Sequence, residues 1–350
     1  MRSLMFLVVA TTMFVGCQRP ESSPASPEGK VIRVLTDRTS SHLDNIFAYY
    51  EKETGVKVET HYTGDGLLAR LTERPQEADL IVTKNADLLE IAKTKGLLAP
   101  IASQTVFDNV PRAFRDPDDR YVILSFRARA IFIAKARVAI DEVKNYNDLL
   151  APRWKGRVCV RSGFHEYNVS WFSQMAVVEG IEATEKFIFG LRENLARSPR
   201  GNDRAQVRAL LEDDCDLAVA NSYYMGLMRR SEDQKRWAAA SEVVFPEQEG
   251  RGAYAMRSGA ALTHSKSQPW RASHLLEFLT GEMAQHYFSE ALDEYPVKRG
   301  VPPSAMNASL GKAQGIEDGA FKVNLVSLAE ATKQRDAVLD VLTRAQFDGK

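Results

Sequence analysis

"YVILSFRARAIFIAK", residues 121–135, is longer than an ordinary strand and dense in β-branched and aromatic residues. Arg127 and Arg129 lie two residues apart and so share one face of an extended chain. Upstream, strand and helix alternate. "KVIRVLTD" (30–37) reads as a strand. "HLDNIFAYYEKETG" (42–55) reads as a helix with Leu43, Ile46, Phe47 and Tyr50 on one buried face, capped by Ser40 or Ser41 and ended by Gly55. Strands at 56–62 and 78–84 are each followed by a helical stretch, at 66–74 and 86–98. Downstream come a strand at 156–162, helices at 182–194 and 203–213, and the strand "CDLAVAN" (215–221). "SEVVFPEQEGRGAYAMRSGAALT" (241–263) reads as a second long extended passage, followed by helical sequence at 268–292 and from about 321 onward. The alternation predicts an α/β protein with a largely parallel sheet. Two long extended passages bracketing a central block predict two lobes joined by two crossover strands, with a ligand cleft between them. The expected N-lobe is 30–125 plus 255–310 and the C-lobe 126–254, with 311–350 a C-terminal helical segment.

The chain has 46 basic and 46 acidic residues, a balance that does not favour a nucleic-acid partner or a polybasic membrane surface. "MRSLMFLVVATTMFVGC" carries Arg2, then an apolar run too short to span a bilayer, then Gly16–Cys17. It reads as a signal peptide over 1–16, with Cys17 resembling the lipid-modified first residue of a bacterial lipoprotein. Residues 17–29 are rich in Pro and Ser and read as a tether. An envelope location is oxidising, so Cys159 and Cys215 are available for one disulfide; two buried free thiols are the equal alternative.

In "DDCDLAVANSYYMGLMRR" (213–230) two tyrosines, Tyr223 and Tyr224, stand where a strand ends and a helix begins. Asn221 and Ser222 are good helix-capping types there. In a continuous strand adjacent phenols would face apart, but on a first helical turn both can lean into one cleft at the carboxyl end of the sheet. Tyr167 has a matching setting, eight residues after Cys159 as Tyr223 is after Cys215. Three phenolates would balance a hard trivalent cation, and ferric iron suits them better than zinc or calcium. Taken alone, such a tyrosine pair is more often packing than ligation. His165 and Glu166 lack the second histidine of a zinc-protease helix.

The sequence resembles the bacterial ferric-ion-binding proteins of ABC iron importers, especially their cyanobacterial-type branch. "RTSSHLDNIF" (38–47), "WKGRVCVRSGFHEYN" (154–168), "ENLARSPRGNDRAQVRALLEDDCDLAVANSYYMG" (193–226), "FPEQEGRGAYAMRSGAALT" (245–263) and "EYPV" (294–297) carry the resemblance, which spans about 30–305. It implies a type II periplasmic-binding-protein fold and a monomeric, non-enzymatic protein. The implied cargo is Fe3+, with Fe2+ the alternative. The implied partners are an ABC permease and its ATPase, with the membrane reached through lipid on Cys17. It implies Tyr167, Tyr223 and Tyr224 as metal ligands and His42 as a ligand from the opposite lobe. Arg127 or Arg129 would hold a synergistic anion. Where that branch has a tyrosine after the histidine, this sequence has Leu43, which leaves a position for water or carbonate. A cargo of organic anion or amine (phosphonate, thiamine or polyamine) is the alternative on the same scaffold, and an envelope enzyme is a more distant one.

Overall fold

The computed structural model describes residues 31–265, 267 and 269–349. The expected signal, Cys17 and the tether lie outside those residues. Among the described residues ten strands appear, in chain order: β1 Val31–Thr36, β2 Lys57–Tyr62, β3 Leu80–Thr83, β4 Val122–Ala134, β5 Val158–Cys159, β6 Leu217–Asn221, β7 Ser241–Val244, β8 Ala253–Leu262, β9 Tyr295–Pro296 and β10 Val323–Asn324. The main path runs β2-β1-β3-β8-β4-β6-β5. In its first half β1 pairs in parallel with β2 and β3; in its second β5 and β6 are parallel. Two long strands, β4 and β8, join the halves as an antiparallel pair, and every residue of both is buried. Along β4 the partner changes. Residues up to Ala128 pair with β8, and from Arg129 onward they pair with β6. The strand therefore enters in one half of the molecule and leaves in the other. The α/β architecture with crossover strands is the one the sequence predicts, but the sheet is mixed where a largely parallel one was expected, because β4 and β8 run antiparallel to each other and to β6 and β3.

The passage 241–263 differs from its expected form. It is two strands, β7 and β8, separated by a turn in which Glu247 and Gly252 both take positive φ. β7 ends before Phe245–Pro246 and pairs with the far half of β4; β8 alone crosses. The helix after β1 runs Ser40–Thr54, buries Leu43, Ile46, Phe47 and Tyr50, and stops at Gly55 with φ 67°. Its N-cap is Thr39, in place of the expected Ser40 or Ser41, and the Thr39 side chain makes no cap bond. The tail is less helical than expected at its start, because β10 adds to β8 in parallel. Helix Leu328–Arg344 then packs on helices Asp87–Thr94 and Glu166–Glu179, one from each half.

Candidate metal site

Tyr167 sits on the first turn of helix Glu166–Glu179, just beyond the end of β5. His165 caps that helix, its Nδ1 accepting from the Tyr167 N–H at 3.2 Å. Tyr223 and Tyr224 follow β6 across a turn, Tyr223 as N-cap of helix Tyr224–Arg230. Their ring centroids lie 4.1 Å apart, with planes inclined at 30°. Both phenols thus lean the same way, as a helical turn permits and a strand forbids. Asn221 and Ser222 do not cap this helix. Ser222 Oγ accepts from the Ala128 N–H at 3.2 Å, and Asn221 Oδ1 accepts from Arg129 at 3.2 Å. Their side chains tie the turn to β4 instead. The helix itself approaches closely at Gly226, where a Cβ would lie 1.9 Å from Asp293 Oδ2.

β5 and β6 are neighbours, in register Cys159↔Ala218, and Cys159 and Cys215 form a disulfide with Cα atoms 6.0 Å apart. Beneath the phenols lies Arg129, fully buried. It donates to Asp203 Oδ2 and to Asn168 Oδ1, each at 2.7 Å. Asp203 also accepts from the Asn221 N–H at 2.9 Å. One guanidinium thus binds the residue after Tyr167, the residue before the Tyr223 turn, and a carboxylate that grips that turn's backbone. The expectation that Arg129 holds an anion is therefore corrected. It shares a strand face with Arg127, but β4 changes halves between them. Helix Asp203–Leu211 covers that face at Arg129, while at Arg127 it opens into the cleft.

His42, Tyr167, Tyr223, Tyr224 and Arg127 all line one cavity of about 430 Å³, together with Asp37, Arg38, Lys84, Arg204 and Glu294. His42 comes from the first turn of helix Ser40–Thr54, facing the phenols. Leu43 is fully buried in the core and offers nothing to the cavity. The Arg127 guanidinium lies 5.5 Å from the Tyr167 ring centre and 5.8 Å from that of Tyr223.

Burial raises the pKa of all three phenols. At Tyr223 the neighbouring Tyr224 and Tyr167 add to that rise; at Tyr167 the charge of Arg127 opposes it. Without a cation the phenols therefore hold their protons at neutral pH. A metal ion supplies the charge that draws those protons off. His42 is pulled down to about 4, by burial first and then by Arg38. Its imidazole is neutral at pH 7 and keeps a free lone pair. The arrangement suits capture of a hard cation by ionising oxygens, with a neutral nitrogen opposite.

The sequence reading assigned no role to Arg38, Glu294 or Lys84. Arg38 donates to Glu294 Oε1 at 2.8 Å, both buried, and Glu294 also accepts from Ser125 of β4. Arg38 and Arg127 each donate to Ser258 of β8, at 2.8 and 2.7 Å. The "EYPV" stretch held the signal for Glu294: an acid entering a buried strand has to be paired.

A family model described as bacterial extracellular solute-binding protein matches residues 76–314. The chain is 34% identical to iron uptake protein A1 of Synechocystis sp., covering 94% of this chain and 96% of that one. Among solved structures it is similar to the apo ferric ion-binding protein A of Pasteurella haemolytica, with TM-score 0.83, 36% identity, and 91% and 98% of the two chains covered. It is also similar to a Trichodesmium protein solved in complex with iron and citrate ligands, with TM-score 0.82, 30% identity, and 91% and 99% covered.

Proposed function

The chain belongs to the bacterial extracellular solute-binding protein family, and from that membership we propose that it binds iron and delivers it to an ABC importer. It is a binding protein, not an enzyme. The observation that carries the reading is the convergence of three phenols, those of Tyr167 and Tyr223 buried and that of Tyr224 partly buried, and one neutral imidazole on a single cavity. Tyr167, Tyr223 and Tyr224 take the ion as phenolates. His42 completes the set from the opposite wall as the halves close about β4 and β8. In this reading the lobes are 30–125 with 255–310 and 126–254, joined by β4 and β8.

Three hard phenolate oxygens favour the ferric state. The lining has four cationic side chains, Arg38, Lys84, Arg127 and Arg204, against the carboxylates of Asp37 and Glu294. Ionising three phenols turns that excess into a single negative charge. A trivalent ion then makes the site positive again, which suits a small anion such as carbonate, beside Arg127, where Leu43 supplies no oxygen. The protein acts as a periplasmic monomer tethered by lipid on Cys17 and passes its cargo to a permease and its ATPase.

The test is a ferric titration followed in the visible. Iron phenolate gives a broad charge-transfer band, which Tyr223→Phe and Tyr224→Phe each weaken as affinity falls. Iron bound by both variants as tightly as by the natural chain would overturn the assignment. An organic cargo would give no band at all.

A further inference from the structure

Two helix starts, one from each half of the molecule, meet beside the cavity. Lys84 and Asn85 follow β3 and lead into helix Asp87–Thr94. The turn after β5 leads into helix Glu166–Glu179, whose first residue is Glu166 and whose second is Tyr167. The Glu166 side chain spans the gap. Its Oε1 makes an ion pair with Lys84 Nζ at 3.2 Å, and its Oε2 accepts from Asn85 Nδ2 at 3.4 Å. Both charged side chains are largely covered, Glu166 18% and Lys84 24% exposed, so the contact is less screened than a surface pair. Further into the interior, Asp87 hydrogen-bonds Ser170 of the same facing helix. The seam is therefore buried at its back, and at its front it reaches the cavity edge.

The N-terminal side of this tie is itself fixed. The Lys84 carbonyl accepts from Arg127 Nη2 at 2.6 Å, and its N–H donates to Asp37 Oδ1 at 2.8 Å. Glu166 does not line the cavity, whereas Lys84 does. Left alone, the Lys84 ammonium would face an arriving cation. Its other ion-pair partner, Asp65, is 90% exposed and 3.4 Å away, a weak one.

We propose that Glu166 is a positioning residue for the metal site. By tying the start of the Tyr167 helix to Lys84 and Asn85, it holds the two halves together over a bound ion and sets how slowly that ion leaves. The proposal rests on the iron-binding reading above. It places the control of release one residue from a ligand, on a carboxylate that never touches the metal.

The experiment measures iron release into excess chelator from Glu166→Gln, Asn85→Asp and the double variant, with the visible band recorded for each. Glu166→Gln removes the ion pair, and Asn85→Asp sets two carboxylates against each other. Each speeds release about tenfold, the scale of one charge-assisted contact. In the double variant the Gln amide donates to the new carboxylate, which restores the hydrogen bond but not the Lys84 ion pair, so release is slower than in Asn85→Asp and no faster than in Glu166→Gln. The band stays in place throughout, because the phenols are untouched. Single variants that release at the natural rate, or a double variant in which the two effects multiply, would overturn the tie. Absence of the band in the natural chain would sink the iron-binding reading instead, and is seen independently of any rate.

Discussion

Tyr167, Tyr223 and Tyr224 stand on elements braced within their own half: one disulfide joins their strands, and one buried guanidinium joins their turns. His42 stands on a wall braced to the crossover strands. Arg38, four residues before it, reaches Glu294 and Ser258, and Glu294 in turn takes a bond from Ser125. Rotation about β4 and β8 would thus leave the three phenols fixed relative to one another while carrying the histidine wall past them. Under the proposed function, the contrast would assign affinity to a preorganised oxygen set and closure to the other side.

The largest effect expected tests the brace under the phenols. Asp203→Ala strips Arg129 of its carboxylate while leaving the guanidinium fully buried. Breaking a buried pair on one side costs about 3–5 kcal/mol. Urea unfolding should register that loss even without iron. A loss below about 1 kcal/mol would mean that the disulfide and packing suffice and that Arg129 braces nothing.

That brace was largely illegible in the sequence. "RAR" showed two arginines on one face, but whether each met solvent, ligand or carboxylate depended on where β4 changes partners, a fact of tertiary pairing. The phenols were legible because their signal is local: an apolar strand, a polar turn and adjacent tyrosines within one short window. Leu43 was legible for the same reason, since helical period alone put it in the core. Arg38 and Glu294 lie 256 residues apart, and no local pattern joins them. The break between β7 and β8 was visible as "FPEQEGRG", yet β-rich sequence on both sides hid it within one apparent passage. Asn221 and Ser222 were good caps by type, and the nearby β4 backbone and Arg129 outcompeted the helix for them.

Next in size come the proposed ligands. Tyr167→Phe or Tyr224→Phe should lower iron affinity by more than about a hundredfold, beyond what residues behind a ligand usually supply. That is about 2.7 kcal/mol. The check is competition against a chelator of known strength. His42→Ala should cost less, about tenfold or 1.4 kcal/mol, because it completes a set already able to hold the ion. A histidine loss as large as a tyrosine loss would erase the distinction between the walls.

The smallest effect is a predicted constancy. Phenols that hold their protons must release them on binding, so affinity falls steeply as pH drops, and this loss belongs to the phenol wall. His42 behaves differently. An ordinary imidazole near 6.5 would begin competing with the metal for its lone pair below that pH. Burial and Arg38 hold His42 down to about 4, so between pH 7.5 and 5 there is no proton to displace. The ratio of natural to His42→Ala affinity should therefore stay level over that range while both affinities fall together. The stability linkage has a definite sign. A folded-state pKa below the unfolded value makes protonation favour unfolding, so this residue's contribution declines as pH falls from about 6.5 toward 4. His42→Ala should accordingly blunt acid sensitivity across that window in the apo protein. An affinity ratio that instead collapses between pH 6.5 and 5 would place His42 in water, outside the closed cavity, and the histidine wall would lose its part in closure.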